Sequence, residues 1–309
     1  MRAEDEALAS VAQSYLDLFS RRWEHAPRNV EITMRRHRSG DVSYGSFLAA
    51  AHMSVDRSGP RYLADTQYGF VAAGHCKRES DEWRIDVPPE TEFGEPEIGD
   101  MEDLFSLICT VGWREEGYVA LHAGAVVKEN TCAILCAASG GGKSTLTTAL
   151  MHSGWQTLGD DKLLMRRDLG RIRVRSLLQT FNLDPATRRW FDFGDLDALP
   201  RYSAWTVKRR VPLDSIAPGT AIGRAVPTHI VSVQRNPNVE GIVARAMPKH
   251  ETLPTLLKQI VLPADRDIAA WIVREAAACA AAVTGVTLEI GDDAYARPDW
   301  LQAVEEALL

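Results

Sequence analysis

The residues whose types and spacing could do chemistry lie between Thr131 and Asp161. Ser139 and the run Gly140-Gly141-Gly142 precede Lys143-Ser144-Thr145. Backbone N–H groups can close on a polyphosphate only where bulky side chains are absent, and successive glycines meet that need. Lys143 can reach the β- and γ-phosphates of a nucleotide, and the Ser144 hydroxyl can serve Mg²⁺ as an oxygen ligand. Further along, Asp160 and Asp161 stand side by side behind Gly159. In such a pair one carboxylate can hold a metal, directly or through water. The other can take a proton from an attacking hydroxyl.

These groups need a strand, a loop and a helix to hold them. Ala133-Ile134-Leu135-Cys136 is an apolar run that reads as a buried strand. A small-residue loop follows from Ala137 to Gly142, and the helix after it carries Leu146, Ala149 and Leu150 on one face, with Gly154 at its C-terminal cap. Its N-terminus turns the positive end of the helix dipole toward the same anion. Together these make the phosphate-binding P-loop pattern. Ala137 stands where that pattern usually begins with glycine, so its φ must be negative. Trp155 to Leu158 forms the next short apolar piece and delivers Asp160-Asp161 at a strand end.

In order and spacing, Leu121-His122-Ala123-Gly124, the glycine loop and Gly159-Asp160-Asp161 resemble the HPr kinase/phosphorylase group and its HPr-kinase-related proteins. Their fold is shared with the nucleotide domain of phosphoenolpyruvate carboxykinases. The resemblance spans about residues 119–165. It implies a general base at Asp160, phosphate and Mg²⁺ contacts at Lys143 and Ser144, metal support from Asp161, and His122 beside the reacting phosphate. The segment that follows the double aspartate in HPr kinases has no counterpart here, which points away from HPr as the acceptor. Relatives without it include kinases of the C-terminal serine of lasso-peptide precursors and kinases of free serine.

The chain has 309 residues and a formal net charge of −7, which supports neither a nucleic-acid surface nor attraction to anionic lipid. A nucleotide site must therefore be locally basic. Five scattered cysteines (Cys76, Cys109, Cys132, Cys136 and Cys279) lack the spacing of a disulfide framework or a zinc site. Cys132 and Cys136 fall on the loop strand as small buried apolar residues. The acidic N-terminus lacks a signal core, and Arg274 and Glu275 interrupt the most apolar segment. A reduced, cytoplasmic location is expected.

The rest of the chain divides into a smaller N-terminal lobe, 1–99, with a helix and β-rich segments, and a P-loop kinase domain, 100–309, of mixed α/β type built on a mixed sheet. In the lobe, a helix is expected over 4–22, with strands from Arg28 to Arg36, Val42 to Ala50, Tyr68 to Ala73 and Trp83 to Val87. Ser39-Gly40-Asp41 is expected as a turn, and Cys76-Lys77-Arg78 as a charged loop. In the larger domain, helices are expected over 100–113, 252–261 and 265–283 and after Pro298-Asp299. Strands are expected on either side of Asp168-Leu169-Gly170, and from His229 to Gln234, Ile242 to Met247 and Val286 to Ile290. Phe181, Trp190, Phe191 and Phe193 would form a local hydrophobic patch or line an acceptor pocket. Lys208-Arg209-Arg210 is the densest basic run of the second half, a source for the cation that stabilises a transferring phosphoryl group or a basic surface loop.

The expected activity is a kinase that uses ATP and Mg²⁺ to phosphorylate a hydroxyl, with a peptide or protein serine first among acceptors and a free small hydroxyl compound such as serine second. A nucleotide-gated regulatory module is the reading from another class. Neither nucleic acid nor membrane is expected as a partner, and self-association into a homo-oligomer is left open.

Overall fold

The computed structural model describes residues 1–17, 29–37, 52–56, 59–65, 69–76, 80–176, 180–191, 195–199, 201, 207–213, 217–263 and 266–309. The turn expected at Ser39-Gly40-Asp41, the strand from Val42 to Ala50, the helical stretch beyond Asp17, Lys77-Arg78 and Phe193 lie outside these residues.

The N-terminal part is a six-stranded mixed sheet. Its strands are β1 (Arg2–Ala3), β2 (Asn29–Arg36), β3 (His52–Asp56), β4 (Gly59–Asp65), β5 (Val71–Cys76) and β6 (Ser80–Val87), in the order β1-β2-β6-β5-β4-β3. Helix α1 (Glu6–Leu16) starts where the Asp5 side chain accepts from the Leu8 N–H at 2.9 Å. It buries Leu8, Val11 and Tyr15 against this sheet, and helix α2 (Glu95–Glu115) buries Met101, Leu104, Phe105, Ile108 and Val111 in the same core. The apolar spacing in both helices follows the period that places i, i+3, i+4 and i+7 on one face.

The second sheet holds β8 (Gly124–Lys128), β9 (Thr131–Cys136), β10 (Gln156–Gly159), β16 (His229–Arg235), β17 (Ile242–Ala246) and β18 (Thr284–Ile290). Its order is β10-β8-β9-β16-β18-β17, with parallel pairing at β9–β16 and β16–β18. Helices cover both faces. Cys132, Ile134 and Cys136 face the core that also holds Leu256 of α4 (Lys249–Leu257) and Ile272, Ala276 and Cys279 of α5 (Arg266–Ala282). Ala133 and Leu135 face Leu146 and Leu150 of α3 (Lys143–His152) and Val304 and Leu308 of α6 (Trp300–Leu308). A strand covered on both sides must be apolar at every position, which accounts for the unbroken run in β9.

A smaller antiparallel sheet, β15-β12-β11-β7, is built from β7 (Val119–Leu121), β11 (Leu163–Asp168), β12 (Arg171–Ser176) and β15 (Arg224–Ala225). Leu169 (φ 48°) and Gly170 (φ 78°) make the two-residue turn between β11 and β12, both in the left-handed region that such hairpins need. β13 (Thr180–Leu183) pairs with β14 (Arg209–Pro212), and a 3₁₀ turn over Pro185–Arg189 is capped by Asp184, whose side chain accepts from the Ala186 N–H at 2.8 Å. Cys109, Cys132, Cys136 and Cys279 are free thiols, and no helix among the described residues is long and apolar enough to cross a membrane.

Candidate active site

The site forms where a two-strand ribbon passes from one sheet to the other. β7 and β11 belong to the small sheet, with Leu121 opposite Leu163. β8 and β10 belong to the large one, with Ala125 opposite Gly159. The register is continuous across the gap, so Asp160 stands opposite Gly124 and Lys162 opposite His122. A bulge between Thr157 and Gly159 shifts the pairing by one residue and re-aims the strand end. The Thr157 hydroxyl donates to Ala125 O at 2.9 Å and accepts from the Gly159 N–H at 3.0 Å, fixing the bulge. Gly124 has no side chain because a Cβ there would sit 3.1 Å from Thr147 Oγ1, 3.2 Å from Asp160 Cα and 3.3 Å from Gly159 O.

The glycine loop leaves β9 directly beside this ribbon. Gly140 (φ 76°) and Gly142 (φ 94°) are left-handed, and Ala137 is not. Gly141 donates to Ala138 O at 2.9 Å, and a Cβ on it would lie 3.0 Å from both Ala137 Cβ and that same oxygen. Ser139 and Gly140 are exposed, and α3 begins at Lys143 with neither a side-chain cap nor an acidic residue in its first turn. Its leading amides therefore face outward as uncapped donors.

Lys143 is 8 % exposed, and its Nζ donates to Asp160 O at 2.6 Å and to Asp161 Oδ1 at 3.4 Å. Asp161 also receives His122 Nδ1 at 3.1 Å. Asp160 is 1 % exposed, and neither of its carboxylate oxygens makes a hydrogen bond of normal geometry, although the Ser144 hydroxyl stands close enough to favour its charged form. Burial, then the neighbouring Asp161 charge, push its pKa well above the usual carboxylate range, against the opposing pull of Lys143, Ser144 and Lys208. Asp161 moves the other way. Burial acts to raise it, but Lys143, His122 and Lys162 outweigh that and hold it ionised. The two carboxylates thus divide into one poised to accept a proton and one that stays charged, a division typical of acid–base sites. His122, with 59 % of its side chain exposed, is drawn up by Asp161, but desolvation and the cations Lys143, Lys162 and Lys208 leave it below the ordinary imidazole range.

The basic run divides. Lys208 acts on both Asp160 and His122. Arg209 instead donates to Leu199 O at 3.1 Å, and Arg210 holds Glu102 of α2 in a two-pronged ion pair. Of this run, Lys208 is the member whose charge reaches Asp160 and His122, while Arg209 and Arg210 are held by structural partners. The aromatic residues gather elsewhere. Phe191 stacks on His152 at the C-terminal end of α3, and Trp190 and Phe191 meet Tyr295. That patch is at the opposite end of the helix from Lys143, roughly 14 Å along its axis at 1.5 Å per residue, and Phe181 is buried in a separate cluster.

The residues present suit Mg²⁺. Among the described residues no cluster of three or more His, Cys, Asp or Glu forms a closed cage. The Ser144 hydroxyl and the Asp161 carboxylate are hard oxygen donors beside the loop, and Mg²⁺ commonly takes only one or two such protein ligands plus phosphate oxygens and water. A shallow depression lined by Glu90, Thr91, Glu92 and Glu97 is acidic and unsuited to a triphosphate.

Two participants escaped the reading of motifs. Lys162 directly follows the double aspartate, and that adjacency was the available signal. Its Nζ donates to Ser106 Oγ of α2 at 2.7 Å. Gln259 carries no local signal at all.

No family model and no curated protein matches the chain. Among solved structures, it is similar to the Hpr(Ser) kinase/phosphatase from Coxiella burnetii at a TM-score of 0.30 and 11 % identity, over 50 % of this chain and 92 % of that one. A likeness of that size assigns no residue a role, so the functional reading stands on the site's own chemistry.

Proposed function

We propose that the chain is a Mg-ATP-dependent kinase that phosphorylates a hydroxyl, most readily the serine of a peptide or protein such as the C-terminal serine of a lasso-peptide precursor. The observation that carries the kinase reading is Asp160, a buried carboxylate whose oxygens lack a hydrogen bond of normal geometry, with its backbone held by the glycine-loop lysine. An unpartnered buried carboxylate is costly, and such groups concentrate where a proton must be moved. The preference for a peptide serine rests on the resemblance of the sequence motifs.

In this reading the amides of 139–145 and Lys143 hold the triphosphate. Asp160 takes the proton of the acceptor hydroxyl as its oxygen bonds to the γ-phosphorus. The bond to the β,γ-bridging oxygen breaks, and ADP leaves. Lys143 and Lys208 stabilise charge spread over the transferring group, and positioning supplies most of the acceleration. Mg²⁺, with Ser144 and Asp161 as its protein ligands, would neutralise charge on the phosphates. His122, in contact with Asp161 at 3.1 Å, would lie beside the reacting phosphate. The division into a lobe, 1–99, that presents the acceptor and a kinase domain, 100–309, belongs to the same proposal.

The test is mass spectrometry of a panel of peptides ending in serine, together with free serine, after incubation with purified protein and Mg-ATP. A gain of one phosphate on a peptide supports the proposal. A gain on free serine alone replaces the acceptor and keeps the kinase. ADP formation with no phosphorylated acceptor, or no turnover at all, contradicts the kinase reading and favours a nucleotide-gated module.

A further inference from the structure

Gln259 lies in the turn that ends α4, where its N–H donates to Leu256 O at 3.0 Å, and it is 7 % exposed. Its backbone carbonyl accepts from the His122 N–H at 2.7 Å. With its nitrogen turned toward two carbonyl oxygens, its side-chain amide donates to His122 O at 2.8 Å and to Ala137 O at 3.2 Å. One residue thus holds both peptide groups of His122 and also the first residue of the glycine loop. These two points directly follow different strands, β7 and β9. A primary amide is the one neutral side chain that offers two N–H donors from a single nitrogen. A carboxylate of the same length would instead face two carbonyl oxygens with its own lone pairs. The anchor is firm, because Leu256 is buried and Leu253, Leu257 and Ile260 pack against the core beneath β7 and β9.

We infer that Gln259 is a positioning residue: its amide clamps His122 to the start of the glycine loop, and so sets where the His122 ring stands relative to the bound phosphates. This inference rests on the kinase reading for its consequence but not for its geometry. Without the side-chain donors, His122 keeps its backbone bond to Gln259 O and its contact with Asp161 but loses its tie to the loop, and its ring shifts relative to the loop. A misplacement of about 1 Å in such a site can cost on the order of 10²-fold in rate. The loop amides keep their own turn, so nucleotide affinity should change much less than turnover.

The test compares wild type with Gln259→Leu, which deletes both donors, and Gln259→Asn, which keeps them on a shorter arm. Metal-free protein at pH 8 is examined by aromatic ¹H–¹³C NMR, with His122→Gln used to identify the His122 ring signal among the eight histidines. In Gln259→Leu the His122 signal should move toward that of a free imidazole while the other histidines stay in place, and Gln259→Asn should fall between. Should Gln259→Leu fail to fold, Gln259→Glu gives the same readout with side-chain length kept. An unmoved His122 signal, or movement of all histidines together, overturns the inference. In the same samples, phosphate transfer from Mg-ATP to the serine-terminated peptides should fall about 10–100-fold in kcat, with KM for ATP changed less than about threefold. If wild type transfers no phosphate while its His122 signal still depends on Gln259, the kinase reading fails and the clamp stands.

Discussion

At the scale of single residues, the account turns on the opposite behaviour of two adjacent carboxylates. Asp160 is raised from 3.8 to about 6 by burial and by Asp161, so it must lose its proton before it can act as a base. Turnover should therefore climb with pH through about 6, and a pH–kcat/KM profile would show that limb. The same shift bears on stability. Between 3.8 and about 6 the unfolded chain has released a proton that the folded chain still holds, so stability falls as pH rises through that window and stays lower above it. Asp160→Asn removes that cost. It should raise the melting temperature at pH 7 by a few degrees, on the order expected for roughly 1 kcal/mol in a chain this large, while binding nucleotide and transferring nothing. Calorimetry and a transfer assay on one sample would check both halves. Lys143→Ala should lose at least about 3 kcal/mol of transition-state stabilisation, comparable to deleting one preorganised charge donor. The grouping of Lys143 and Ser144 with Asp160 was legible in the sequence because it depends on a local strand–loop–helix–strand spacing. Gln259 was not, since three of its four hydrogen bonds reach residues more than a hundred positions away.

Elements place these residues through the ribbon that crosses between sheets. Gly124 is its tightest point, with Asp160 Cα lying 3.2 Å from where a Cβ would be. Gly124→Ala should push the Asp160 main chain away. The expected loss is about 1–3 kcal/mol of stability from overpacking, with a drop in kcat larger than any rise in KM for ATP. Steady-state kinetics beside a denaturation curve would separate the two. Gly142→Ala forces a Cβ into a left-handed position at the first turn of α3, at a cost of roughly 1–2 kcal/mol, and should weaken nucleotide affinity most. The strand, loop and helix from Thr131 to His152 were readable because their apolar and glycine pattern is local. Pairing was not. β16 and β17 follow one another along the chain, yet β18, which comes after two helices, lies between them. β3 and β4 carry too little alternation to announce themselves, and the ribbon's passage between sheets depends on pairings no local window contains.

Across the whole molecule, α2 ties the N-terminal sheet to the site. Its apolar face packs on that sheet, while Glu102 pairs with Arg210 of β14 and Ser106 accepts from Lys162 beside Asp161. Tyr15 of α1 donates to the same Ser106 Oγ at 3.0 Å, extending the chain of contacts into the N-terminal core. Burial, opposed by Arg210, raises the pKa of Glu102, so this is a pair taken out of water. Glu102→Ala removes the two-pronged partner of a mostly buried Arg210 guanidinium and should destabilise the fold by about 1–3 kcal/mol. Chemical denaturation would measure it, and a second transition appearing in the curve would indicate that the N-terminal sheet had uncoupled from the rest. The overall class, mixed α/β with a β-rich N-terminal part, followed from alternating and helical patterns along the chain. The role of α2 did not, because its polar contacts are single residues on a helix whose pattern announces only its apolar face.

The most direct measurement is a crystal structure with Mg²⁺ and a non-hydrolysable ATP analogue. The account predicts the triphosphate lying in the 139–145 loop, with the Asp160 carboxylate within hydrogen-bond reach of a hydroxyl placed in line with the terminal phosphorus. An empty loop, or an Asp160 carboxylate turned away from that phosphorus, would contradict it.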